Sequence, residues 1–269
     1  MKSILVHIND DDGLESRLQA AFDLARTFNG HLTCLHATPY EDYLAADPLV
    51  VSALPEEFSE KMAARRSELR ARIEMRLKAE GVSWDWVHFD ELMSTSLIRY
   101  SVLADVIVVS LGPAAVREHD PPPLAASVSV GARTPVVGVP AGLAGLRLDR
   151  AAVLAWNGSP ESATAMRAAL PILQAVPQVH LLEVEEEMSP YPHDFAARYL
   201  SRYDIGVEIV QRGRIDGSVG AAIEQAALEL DAGLIVMGAY GHSRLREYLF
   251  GGVTRELTRS SRVPLLLAH

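Results

Sequence analysis

Four glycines near the end of the chain have the type and spacing to hold phosphate. Gly238-Ala239-Tyr240-Gly241 follows the apolar run Leu234-Ile235-Val236-Met237, and nine further residues lead to Gly251-Gly252-Val253-Thr254. That order reads as a buried strand, a glycine-marked loop and a helix start. Glycine lets backbone approach a ligand closely, and the free N–H groups of a helix start attract anions. Gly238 and Gly241 would leave the loop bare enough for phosphates to lie on its amides. Gly251 and Gly252 would open the helix, Val253 would follow in its first turn, and Thr254 would add a hydroxyl. The implied ligand is a nucleotide or another phosphorylated molecule.

Further candidates come from the ends of two other strands. Ala155, Trp156 and Asn157 end one run, and Val184 ends another. Ligands on open α/β sheets bind outside the carboxyl ends of strands, near a switch in strand order. Val184 and neighbouring backbone would then contact the base, Asn157 would reach the ribose, Met237 and Gly238 would end a third strand at the site, and Trp156 would stand beside the pocket. Arg244, Arg246 and Arg255 are nearby cations that read as surface charges. The chain has neither a G-x-x-x-x-G-K-[ST] P-loop nor a G-x-G-x-x-G fingerprint, which disfavours an ordinary P-loop NTPase or dinucleotide enzyme. His242, Ser243 and Ser159 lack the partners that would make a catalytic group of them. His7, His36, His88 and His180 fall in strand patterns and read as packed or edge residues. No H-x-x-x-H or C-x-x-C spacing supports a structural zinc site. Asp10-Asp11-Asp12 and the cluster around Glu183 read as a polar turn and a solvated strand end.

The elements that must position these residues occur twice. Ile4–Ile8 and Ala151–Ala155 open the two halves. Each is followed by a polar turn, Glu-Ser, and an Ala-rich amphipathic helix, over 16–28 and 162–175. Second strands follow at Leu32–Ala37 and Val179–Val184. The runs 104–110 and 231–237 match, and both halves close on Arg-x-Pro before an apolar strand. Continuous Val/Ile/Leu strands alternating with helices indicate βαβ units and a parallel sheet covered on both faces. The expected architecture is α/β, two tandem doubly wound domains, each with a mainly parallel five-stranded sheet flanked by helices. The domains span residues 1–141 and 149–269, joined by a linker at 142–146. An additional stretch at 55–80 reads as an exposed amphipathic helix.

Composition sets the outer bounds. With 49% apolar residues among 269, a packed core is expected. A net charge of -10 argues against nucleic acid, whose binding needs clustered Lys and Arg. No apolar run approaches membrane-spanning length, and no secretory signal pattern opens the chain, so a cytoplasmic location is expected. The single cysteine, Cys34, reads as a buried small hydrophobe.

The pattern G-x2-G-x9-G, with a small and a hydroxyl residue after it, resembles the ATP-binding signature of the universal stress protein family. So does the stretch from Val236 to Arg244. The resemblance covers the chain as two tandem domains, with the motif in the second alone. In the first, Ser110-Leu111-Gly112-Pro113 replaces the loop start, Pro121-Pro122-Pro123 intervenes, and the loop from Gly112 to Arg133 is three residues shorter than that from Gly238 to Arg262. The resemblance implies a fold of the adenine nucleotide alpha hydrolase-like (HUP) type. It also implies ATP or a related adenine nucleotide, with magnesium, in the C-terminal domain. The implied protein is a nucleotide-responsive stress regulator, with a homodimer and a regulatory protein partner, and no catalytic residue. Ordering of the loop from Gly238 to Gly252 would be its physical signal. A slow ATPase or nucleotide-dependent transferase, and a scaffold that has lost the ligand, are the alternative readings. Two positions depart from the family: Asn157 stands where Asp is common, and Gly252 where Ser or Thr is common. The last strand, Val263–Ala268, is expected near a sheet edge, and the resemblance implies that the last strands pair, with the two halves joined within one chain, between chains, or both.

Overall fold

The computed structural model describes residues 1–37, 56–112, 122–184, 191–239 and 252–269. The first half runs β1 (Ser3–Ile8), α1 (Leu14–Phe28), β2 (His31–Ala37), α2 (Glu56–Glu80), β3 (Ser83–Phe89), α3 (Met93–Tyr100), β4 (Val106–Ser110), α4 (Leu124–Gly131) and β5 (Val136–Val139). The second runs β6 (Ala152–Ala155), α5 (Pro160–Ala168), α6 (Leu170–Leu173), β7 (Val179–Val184), α7 (His193–Ser201), β8 (Val207–Arg212), α8 (Val219–Glu229), β9 (Leu234–Gly238), α9 (Gly252–Ser260) and β10 (Leu265–Ala268).

All ten strands form one sheet in the order β3-β2-β1-β4-β5-β10-β9-β6-β7-β8. Each half is a parallel five-stranded unit with the same internal order, and the strand order reverses between β1 and β4 and between β6 and β9. The halves meet where β5 and β10 pair antiparallel, with Leu265 opposite Gly138, Leu266 opposite Val137 and Leu267 opposite Val136. Of the expected arrangements, pairing of the last strands within one chain is the one found, and only the edge placement of the last strand is corrected. Leu265, Leu266 and Leu267 are wholly buried because β10 lies mid-sheet, and the outer edges are β3 and β8.

Residues alternate between two apolar layers that run across both halves. One holds Ile4, Val6, Leu154, Val236 and Leu266 with α1, α5 and α7. The other holds Leu5, Ile107, Val153, Ile235 and Leu265 with α3, α4, α8 and α9. Helix α1 shows why the chain folds this way. Leu14, Leu18, Ala21 and Ala25 recur at helical spacing on its buried face, and Asn29 ends it in a left-handed conformation, its N–H donating to the Ala25 carbonyl. Helix α2 is less exposed than its polar composition suggests, because Leu69, Ile73 and Leu77 recur every four residues and are buried. The interdomain segment is also docked: the Leu146 N–H donates to Asp23 at 2.8 Å. Cys34 is buried, and burial pushes its thiol up to about 12, so it behaves as a small apolar side chain. Among the described residues no helix is long and apolar enough to cross a membrane.

Two buried imidazoles make stability depend on acid. Burial, reinforced by the Arg17 guanidinium and then by His36, holds His7 well below its ordinary value of 6.5. Burial first, then His88, lowers His36 to about 4. Both are neutral in the fold, while the unfolded chain takes up these protons near pH 6.5. The unfolded state thus binds more protons below that pH, and stability present above it is lost on acidification towards 4. The urea midpoint is expected to fall over that window, and to fall less steeply in His7→Leu; an equal slope in the variant would contradict a neutral buried His7.

Candidate functional site

The carboxyl ends of β6, β7 and β9 bring the sequence-identified residues to the switch point of the second half. Ala155 is half-buried, and Val184 and Met237 are buried; all three share one face of the sheet, together with Val253 from the first turn of α9. Gly252 heads α9 and is exposed, and Thr254 is buried one turn in. A Cβ built on Gly252 would meet nothing within 4 Å among the described residues. Gly252 is thus an exposed helix start, and the N–H groups of a first turn are donors for an anion. Gly241 and Gly251 lie outside the described residues, as do Arg244, Arg246, His242 and Ser243.

Three sequence expectations change in physical reason. Trp156 does not stand in the pocket. It follows Ala155, so alternation turns it to the opposite face, where it packs in the layer of Leu154, Met166 and Ala196 and its Nε1 donates to the Tyr191 carbonyl at 2.9 Å. Gly238 has a packing reason to be bare beside the expected one: a Cβ there would lie 2.6 Å from the backbone of Glu161 and Ser162, at the start of α5. Asn157 is tied into its own turn, its Oδ1 accepting the Ser159 N–H at 3.2 Å. Ser159 in turn caps α5, accepting the Ser162 N–H at 3.1 Å.

Electrostatic support comes from a contact that the sequence did not reveal. Glu256 of α9 accepts the Ser218 hydroxyl on both carboxylate oxygens, at 2.9 and 2.7 Å. The same hydroxyl accepts the Ala221 N–H and so caps α8. The Glu256 carboxylate thus sits against the positive end of α8 and fixes how α9 lies. Further along, the Thr258 carbonyl accepts the N–H of Gly112 from the first half at 2.9 Å, and α9 packs against α4. The helix that opens at Gly252 therefore spans the junction between the halves.

The matching place in the first half is closed. Arg17 is wholly buried on α1 at the position where α5 has Ala163. Its guanidinium donates to the His7 carbonyl at 3.0 Å and the Asn9 carbonyl at 3.1 Å, to both oxygens of Asp11 at 2.7 and 3.1 Å, and to Ser110 Oγ at 2.5 Å. These groups come from the carboxyl ends of β1 and β4 and from the turn between β1 and α1. Asp11 also accepts the Gly13 N–H at 2.9 Å, so the acidic run is a capped turn, and Asp10 is paired with Arg72. The signal for Arg17 was present in the sequence. Positions 14, 17, 18 and 21 share a helical face, and a cation there needs a buried partner.

Residues 150–269 match the model of the universal stress protein family. Among solved structures, a universal stress protein from Archaeoglobus fulgidus DSM 4304 aligns with a TM-score of 0.77 at 16% identity, covering 99% of this chain and 95% of that one. A putative universal stress protein from Pseudomonas aeruginosa UCBPP-PA14 aligns with a TM-score of 0.62 at 17% identity, covering 99% and 92%. At these identities the likeness establishes the fold of the whole chain. No curated protein matches the sequence.

Two pairs of variants check this geometry. Gly238→Ala must displace backbone and is expected to cost about 2 kcal/mol in urea unfolding, whereas Gly252→Ala is expected within about 0.5 kcal/mol of the parent. Equal effects would contradict the packing at Gly238. Asp11→Ala leaves a buried guanidinium without its carboxylate and is expected to cost about 3 kcal/mol. Arg17→Met removes the cation itself and is expected to cost less; the reverse order would contradict a buried Arg17 guanidinium neutralised by Asp11.

Proposed function

We infer from the match of residues 150–269 to the family model that the second half of the chain is a universal stress protein domain, and from that premise we propose that it binds ATP or a related adenine nucleotide at the start of α9. The supporting observation is the convergence of an open, exposed helix start at Gly252 with the apolar wall of Ala155, Val184 and Met237 on the same side of the switch point. Phosphates would lie on the first-turn amides of α9, at Gly252, Val253 and Thr254, with Gly238, Gly241 and Gly251 supplying the glycine-marked approach. The base would lie against Val184 and Met237, and Asn157 would border the ribose.

The described residues do not build a magnesium site. Asn157 is a neutral amide whose Oδ1 already accepts a backbone N–H. Among the described residues no three His, Cys, Asp or Glu side chains cluster for a metal. Magnesium would arrive as the counter-ion of the nucleotide phosphates.

The reading is of a nucleotide-responsive regulator. A ligand on α9 acts on a helix that touches both halves, through Thr258 to Gly112 and through Glu256 to Ser218. A regulatory protein partner would sense the ligand only by distinguishing the loaded from the empty form.

Mass spectrometry of small molecules released from gently purified protein tests the proposal. Gly252→Glu is the control, because its side chain enters open space and places a negative charge where phosphate would lie. Adenine nucleotide is expected from the parent and not from the variant. A parent that carries none, and gives no heat on titration with ATP, would overturn it.

A further inference from the structure

We propose that β8 is the contact strand of a homodimer, in which two copies of the chain pair β8 antiparallel about a two-fold axis at Val210. Among the described residues β8 has a neighbour on one side only, β7. Among the described residues no strand pairs with its outer side, and the open side of an edge strand invites another strand. A two-fold axis makes the strand its own partner, so the contact is closed and stops at two copies.

The occupant follows from the sequence of the strand, Val207-Glu208-Ile209-Val210-Gln211-Arg212. Pairing about Val210 sets Glu208 of each copy opposite Arg212 of the other, and Ile209 opposite Gln211. Opposite charges facing across an antiparallel pair stabilise it, and like charges disfavour it. The symmetry supplies the favourable pair twice. A foreign strand, or this strand in another register, meets unmatched charge. Glu208 and Arg212 are 63% and 44% exposed, so each can turn to a second copy. Their contacts within the chain, Glu208 to His180 at 3.3 Å and Arg212 to Glu229 at 3.5 Å, are long ones at the surface.

Apolar surface reinforces the choice. Ile209 is 44% exposed on a strand, and α7, which packs on β7 and β8, leaves Phe195 58% exposed. Alternation places Ile209 on the face that α7 covers, because Val207 packs into the layer that holds Ala196 and Leu200.

The other sheet edge does not offer this match. The side-chain charge of β3 at neutral pH is centred on Asp85, which is 72% exposed. Self-pairing about Trp86 would set Asp85 opposite Val87, and self-pairing about Asp85 would set two carboxylates together. An unmatched charge on an edge strand is a common protection against pairing.

Sedimentation velocity of the full chain over a range of concentrations tests the proposal. The parent is expected to dimerise. Glu208→Arg sets two arginines together at both contacts, and Arg212→Glu sets two glutamates together, so each variant alone is expected to weaken the dimer at least about tenfold. Mixing the two variants restores opposite charges at both contacts, and heterodimers are expected in the mixture. Small-angle scattering of the parent is an arm that needs no variant: a dimer through β8 is elongated, with the two sheets continuous end to end. A parent that stays monomeric, a compact dimer, or a dimer indifferent to both substitutions would overturn the proposal. So would two folded monomeric variants that fail to associate with each other.

Discussion

Antiparallel pairing of β5 with β10 is the constraint on which the rest of the structure depends. It converts two five-stranded units into one sheet, and it does so with fully buried residues, Val136 and Val137 against Leu265, Leu266 and Leu267. The pairing also dictates what lies over the junction. In each half the helix before the last strand, α4 or α9, must cross that strand, so the two helices meet. The helix that opens at the candidate ligand position is therefore built into the contact between the halves.

The same arrangement explains how two copies of one unit have diverged. Both switch points arise from one strand order, yet they differ at the positions that decide their chemistry. Where α1 has Arg17, α5 has Ala163, and where β4 ends in Ser110, β9 ends in Gly238. In the first half the guanidinium binds the strand ends together through Asp11 and Ser110. In the second the bare Gly238 lets the start of α5 approach instead. A buried guanidinium with its carboxylate at the surface and a close backbone contact are alternative ways to close the same corner. The second leaves the start of α9 open.

Much of this was legible in the sequence. Strands buried on both faces must be continuous apolar runs, so β1, β2, β4, β7 and β9 and the twofold repeat could be read directly. The match of residues 150–269 to the family model was legible because G-x2-G-x9-G after a buried strand is a specific pattern. What stayed hidden turned on side-chain direction. A shift of one position separates Ala155, on the ligand side, from Trp156, which faces the opposite layer. Gly238 announced a close approach without saying what approaches. The place of β10 was legible only as a set of choices: an apolar last strand signals that a neighbour exists, and pattern alone does not say whether that neighbour is the other half of the chain or a second chain. Glu256 and Ser218 are 38 residues apart, and no local pattern joins them.

The central claim is that nucleotide engages the start of α9 and that α9 carries the effect across the junction. Amide hydrogen exchange with and without saturating ATP tests it most directly. The account expects slower exchange at Gly252, Val253 and Thr254 and at the Gly112 amide, which donates to Thr258 across the halves. Unchanged exchange at the α9 start under saturating ATP would contradict the site, and protection there with Gly112 unaffected would contradict the coupling.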